Sequence, residues 1–241
     1  RLIDMSKVCL IYQPCGAGDI FFLLKAAHYY FQQGYNIVWP VINEYACFND
    51  YFSWIDFVSW GDVERKLTHM DRLPDHVKFP YKEFYDPYSQ CIFSDNLVYI
   101  NGFLPPSGSI MPFKYQSAKV DFENWQDFVY WNRHADRENS LFNHLGLKDG
   151  DDYAFVNKNY QMRPDILRCD RIRSDEEFYG KKVVEMSVIP GYSVFDWVKV
   201  IEKASSIHMI ETSLCYLMEG PQLRNNITKD INLYSRKGWF G

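Results

Sequence analysis

Three features of this 241-residue chain predict an α/β protein made of two Rossmann-like halves with a cleft between them. Its start reads strand, glycine loop, amphipathic helix, strand. Its end, Lys181 to Arg236, reads strand, helix, strand, short helix, strand. Between these lies a break at Pro105-Pro106-Ser107-Gly108. Alternation of strand and helix gives parallel sheets with helical crossovers. The length suits one large domain or two small ones. The economical layout joins two halves near residues 105–120, with domains at 1–115 and 116–241.

The elements follow in order. Val8-Cys9-Leu10-Ile11 is an apolar strand, and Gln13 to Asp19 is a tight loop. A helix is expected from about Ile20 to Gln33, where Ile20, Leu23, Leu24, Ala27, Tyr30 and Phe31 make one wide apolar face. Gly34 stops it, and Tyr35 to Trp39 forms the next strand. Ile55 to Trp60 and Leu97 to Ile100 are further strands, separated by a stretch carrying Pro74, Pro80 and Pro87. Asp121 to Leu145 is expected as a helix ending near Gly146. Tyr153 to Asn157 opens the second half as a strand. Lys182 to Ile189 is β-branched and ends at Pro190-Gly191. Ser193 with Asp196 three residues later has capping-box spacing. Val194, Trp197, Val198, Ile201 and Ala204 share the following helical face. Ile207 to Ile210 is a short buried strand, and Thr212 or Ser213 caps a helix beginning at Leu214.

Composition bounds the function. Apolar residues make up 47% of the chain, enough for a substantial core, and aromatic residues 18%. A formal charge of -5 gives no electrostatic reason to expect nucleic acid. Arg168, Arg171 and Arg173 form a local basic cluster suited to one anionic ligand. The six cysteines show neither a CxxC pair nor zinc spacing. Cys9, Cys47 and Cys215 lie in apolar or aromatic runs and are expected as buried free thiols, which favours a reducing, cytoplasmic setting. No apolar run reaches the roughly 18 residues that span a bilayer.

Ligands of parallel α/β sheets lie beyond the carboxyl ends of the strands. Glu211, Thr212 and Ser213, where the strand ending at Ile210 stops, are therefore candidate ligand contacts, with backbone N–H groups suited to phosphate. Gly16-Ala17-Gly18-Asp19-Ile20-Phe21 begins like a dinucleotide fingerprint. Phe21 replaces the third glycine, which disfavours an oxidoreductase. Gly16 and Gly18 are better explained by a tight turn that lets a ligand approach the backbone. Two roles compete for Asp19: a charge favoured in a first helical turn, or a general base facing the cleft. His208, between Ile207 and Met209, is expected as a satisfied strand histidine, and Glu202 as an exposed helical residue paired with a lysine. The Asp170–Glu177 charge run reads as a solvated loop.

The strand, the Gly-x-Gly-Asp-Ile loop and the following helix resemble the opening of GT-B glycosyltransferases, the heptosyltransferase-like ones in particular. The run Ile201 to Ser213 resembles their donor-half signature, a helix and a strand followed by an acidic residue with Ser/Thr. Asn157-Lys158-Asn159-Tyr160 and Leu233-Tyr234-Ser235-Arg236 also look like short enzymes of this kind. The resemblance covers both ends of the chain and not its middle. It implies transfer of a sugar from a nucleotide-sugar donor to a glycan or saccharide acceptor. The first domain would be acceptor-side and the second would bind the nucleotide-sugar. It further implies a metal-independent route with no cofactor beyond the nucleotide-sugar co-substrate. Asp19 would be the base, with Gly16, Gly18, Asn157, Lys158, Arg163, Glu211, Thr212 and Ser213 on the donor side. The alternative is a non-catalytic nucleotide- or sugar-binding module with a degenerate transferase fold.

Overall fold

A computed structural model describes residues 7–14, 16–59, 91–102, 110–158, 178, 180–229 and 231–234. The chain divides into two units, residues 1–132 and 133–241. The join lies further along than residue 115 because the segment after the proline-rich break packs onto the first helix.

In the first unit the sheet has the order β3-β2-β1-β5-β4. Its strands are β1 (Val8–Tyr12), β2 (Asn36–Val41), β3 (Ile55–Ser59), β4 (Ile92–Phe93) and β5 (Leu97–Asn101). β1 pairs in parallel with β2 and β5, β2 with β3, and only β4 runs antiparallel. Every residue of β1 is buried, as expected of a central parallel strand covered on both faces. Helix α1 (Ala17–Gln32) buries Ile20 to Leu24, Ala26, Ala27 and Tyr30. Against it lies α2 (Ile110–Ser117), which the sequence pattern does not reveal. The Tyr30 hydroxyl donates to the Ala118 carbonyl at 2.7 Å, and Tyr115 donates to the carbonyl of Phe22. The Phe22 ring meets Tyr115 and Trp125 edge-on, and Lys25 donates to the Glu123 carbonyl at 2.6 Å. These contacts tie residues 115–125 to the first unit.

The helix expected over 121–145 is not continuous. Trp125–Phe128 is a single 3-10 turn, and α3 spans only Ala135–His144. The apolar residues of this stretch answer to tertiary packing instead: Trp125 meets α1, and Val129 and Trp131 are buried outside any helix.

The second unit has an all-parallel sheet in the order β7-β6-β8-β9. Its strands are β6 (Tyr153–Asn157), β7 (Lys182–Glu185), β8 (Ser206–Ile210) and β9 (Ile231–Tyr234). β7 is shorter than the expected 182–189. The Ser193/Asp196 capping box is present, but it opens a 3-10 turn, Val194–Trp197, before α4 (Val198–Lys203). Helices α5 (Ser213–Glu219) and α6 (Pro221–Arg224) follow β8. Phe155 and Trp197 rings pack at 6.1 Å, and the Tyr153 hydroxyl donates to the Val200 carbonyl at 2.6 Å, so the sheet and α4 share one core. Glu202 pairs with Arg133 at 2.7 Å, rather than with a lysine.

Cys9 is buried as expected, and burial pushes its thiol well up, which makes it a poor nucleophile. Cys47 is exposed and Cys215 half-buried, so the expectation of burial fails for both. The neighbouring Phe48 and Leu214 are buried in their place. His208 contacts Tyr234 and Ser206, each at 3.3 Å, as a satisfied strand histidine. Among the described residues no helix is long and apolar enough to cross a membrane. The 170–177 charge run, Asn159-Tyr160 and Ser235-Arg236 lie outside the described residues.

Candidate functional site

Each sheet has one place where successive strands cease to add on one side and continue on the other. In the first unit this switch lies between β1 and β5; in the second it lies between β6 and β8. The loops beyond the carboxyl ends of such strands diverge and leave room for a ligand.

At the first switch the residue following β1 is Gln13, which is 1% exposed. Its carbonyl accepts from the Trp39 indole at 3.0 Å, which fixes the loop to the buried face of β2. Gly16 then turns the chain into α1 with φ of +80°. The backbone conformation favours glycine, and a β-carbon there would lie 2.5 Å from Asp19 Oδ2, so the carboxylate would have to shift. Gly18 lies within the first turn of α1 and needs no such conformation. Asp19 Oδ1 meets Lys114 Nζ at 2.5 Å. The same ammonium donates to Gln13 Oε1 at 2.8 Å. Gly102, beyond β5, closes the group: its amide donates to the Tyr12 carbonyl at 2.9 Å, and a β-carbon on it would lie 2.6 Å from Gln13 Oε1.

The buried Lys114 is the functional candidate that the sequence pattern missed. Its 6% exposure sets it apart from a surface lysine. A buried ammonium is tolerable only when partnered, and two side chains from the β1–α1 region provide that. Gly16→Ala is expected to destabilise the protein by about 1–2 kcal/mol through its left-handed backbone, and to swing the Asp19 carboxylate off Lys114. Thermal denaturation together with a crystal structure of the variant checks both effects, and a melting temperature equal to the parent's refutes the first.

At the second switch, Asn157 ends β6 and its amide donates to Thr212 Oγ1 at 3.2 Å. Thr212 caps α5 by accepting from the Leu214 amide at 3.4 Å. Both side chains are buried. Lys158 is also buried, at 5% exposure, with Glu185 Oε2 at 3.9 Å, beyond hydrogen-bond range. It is therefore no solvated lysine. Ser213 is half-buried in the first turn of α5, and Glu211 is exposed. Arg163 lies outside the described residues. Gly16, Gly18 and Asp19 thus belong to the first unit, and Asn157, Lys158, Glu211, Thr212 and Ser213 to the second.

Phe21, at the third-glycine position of a dinucleotide fingerprint, is fully buried and stacks on Phe48 at 5.7 Å. A buried phenyl ring therefore stands where that fingerprint carries no side chain. Asp149-Gly150-Asp151 has Asp-x-Asp spacing but forms a turn before β6, at the amino end of the strand, where Asp151 Oδ2 accepts from the Lys148 amide at 2.8 Å. Among the described residues no group of three or more His, Cys, Asp or Glu side chains is placed to hold a metal ion.

The fold and its two polar switch points define an α/β protein of two Rossmann-like units. No family model matches the chain, and no curated protein matches it. Among solved structures, a glycosyl transferase family 9 protein from Veillonella parvula is similar over 98% of this chain and 87% of its own, at 8% identity and a TM-score of 0.44. E. coli heptosyltransferase WaaC with ADP-2-deoxy-2-fluoro heptose is similar over 95% of this chain and 93% of its own, at 11% identity and a TM-score of 0.44. The same enzyme with ADP covers 94% and 86%, at 11% identity and a TM-score of 0.38.

Proposed function

We propose that this protein is a glycosyltransferase that moves a sugar from a nucleotide-sugar to a glycan or saccharide acceptor. The observation that carries this reading is the gathering of buried polar side chains at the strand-order switch of each of two sheets, the first parallel except for β4 and the second parallel throughout. Sugar transfer needs a base for the acceptor hydroxyl and cationic or dipolar groups for the leaving diphosphate. In this reading Asp19 is the base. Lys158 supplies positive charge to the diphosphate, joined by Arg163. Asn157, Thr212 and Ser213 donate hydrogen bonds to the donor, and Glu211 accepts from a ribose or sugar hydroxyl. Gly16 and Gly18 let the substrate approach the backbone. No metal takes part, so turnover in EDTA is expected to equal turnover without it.

One observation favours a second reading, a nucleotide- or sugar-binding module without turnover: Asp19 is already ion-paired with Lys114. A panel of UDP-, GDP- and ADP-sugars, with NAD as comparison, separates the possibilities. A ligand that binds only the folded chain raises its melting temperature, by about 2.7 kcal/mol of stabilisation at a hundredfold excess over Kd. Stabilisation by at least one nucleotide-sugar with release of nucleoside diphosphate supports the transferase; stabilisation without release supports the binding module. A response to NAD alone defeats the transferase reading.

A further inference from the structure

We infer that Lys114 is a positioning residue: held by Gln13, it fixes Asp19 through Oδ1 and leaves Oδ2 as the oxygen that takes the proton. The role assigned to Asp19 rests on the transferase reading; the geometry that fixes it does not.

The two oxygens of Asp19 stand in different surroundings. Oδ1 receives the Lys114 ammonium at 2.5 Å. Among the described residues Oδ2 meets no donor, and it lies over Gly16, where any β-carbon would approach to 2.5 Å. The Asp19 side chain is 36% exposed, against 7% for Lys114. The ammonium is therefore at the buried end of the pair and the carboxylate at the accessible end. Free rotation about the two side-chain torsions of an aspartate would interchange its oxygens. An ion pair to a buried partner that is itself anchored at 2.8 Å to a nearly inaccessible glutamine stops that exchange.

The consequence for transfer follows from proximity. The acceptor hydroxyl gives its proton to Oδ2, and its oxygen forms the bond to the anomeric carbon. The bond from that carbon to the diphosphate oxygen breaks, and its electron pair leaves on the nucleoside diphosphate. A carboxylate that wanders by an ångström loses much of its contribution to such a step. Lys114 touches neither reacting atom in this scheme; it acts through Asp19.

A double-mutant cycle of Lys114→Met and Asp19→Asn tests this. Its first readout is release of nucleoside diphosphate from UDP-glucose, GDP-mannose or ADP-glucose, with kcat and KM measured separately. Lys114→Met alone is expected to lower kcat about 100-fold, with KM within about twofold of the parent. In the Asp19→Asn background the same change is expected to cost no more than about twofold, because residues acting as one unit are not additive. Full additivity overturns the proposal, as does a rise in KM with kcat unchanged.

The second readout needs no turnover. In protein labelled with ¹³C at the aspartate carboxyl carbons, the Asp19 resonance is assigned by its loss in Asp19→Asn. It is expected to move in Lys114→Met, and an unmoved resonance overturns the positioning role. Absence of turnover in the parent with every sugar donor would defeat the transferase reading alone, and the resonance would still decide whether Lys114 holds Asp19. If Lys114→Met does not fold, Lys114→Gln, which keeps a polar end beside Gln13, takes its place in both measurements.

Discussion

Asp19→Asn is expected to lower the rate of sugar transfer about 1000-fold, within the usual range for loss of a general base, while nucleotide-sugar stabilisation of the fold stays near that of the parent. The substitution is isosteric, so the first turn of α1 keeps its shape. It removes the atom that can hold a proton, and it removes the negative charge opposite Lys114. The second loss has a cost of its own, because Lys114 is buried. The carboxylate, however, is more than a third exposed, so water screens the pair and the stability loss is expected to be about 1 kcal/mol. Kinetics and denaturant melts on the same preparation separate the two effects. Undiminished turnover in the variant would remove Asp19 from the role of base and leave the binding-module reading in place.

The parts of the fold legible beforehand were those with strong local signals. The β1–loop–α1–β2 order follows from an apolar run, a glycine turn and a wide helical face. The Ser193/Asp196 box follows from spacing alone, and both its reciprocal bonds are present. What was missed depends on residues distant in the chain. Lys114 and Asp19 are 95 positions apart, and nothing near Lys114 marks it as special. Its helix carries Pro112 in the first turn and follows a proline-rich break, so no local signal announces a helix over residues 110–117. The aromatic stretch 121–131 misled in the opposite direction: its apolar residues suit a helix, yet Trp125 is held by packing on α1 within a single 3-10 turn. Nothing in the sequence around Lys158 marks it as enclosed. Its burial comes from the strand order, which places β6 between β7 and β8, so that the residue after its last position is enclosed from both sides. At both switch points the residue types were readable and the enclosure was not.

The largest stability effect is expected away from these switch points, at Arg137 and Asp196. Asp196 is fully buried, and its carboxylate accepts from the Ser193 amide at 2.7 Å and from Arg137 Nε and Nη2 at 3.1 and 2.9 Å. Arg137 Nη2 also donates to the Gly191 carbonyl at 2.9 Å, so one guanidinium fastens α3 to the loop ahead of α4. The two partners are unequal: the Arg137 side chain is 40% exposed and that of Asp196 not at all. Removing Asp196 leaves a cation that water can reach, whereas removing Arg137 takes a charged, two-point partner from a carboxylate inside the protein. Arg137→Ala is therefore expected to cost about 3 kcal/mol, at the low end for breaking a buried pair because the exposed part of the guanidinium is screened. Asp196→Asn keeps an acceptor for the Ser193 amide and is expected to cost about half as much. The double variant Arg137→Ala, Asp196→Asn should lose at least about 1 kcal/mol less than the sum of the two single variants, since the charge that each strands is absent when both are changed. Urea unfolding midpoints at unchanged m-value measure all three. An Arg137→Ala protein within about 1 kcal/mol of the parent would show that the Asp196 carboxylate is satisfied without Arg137.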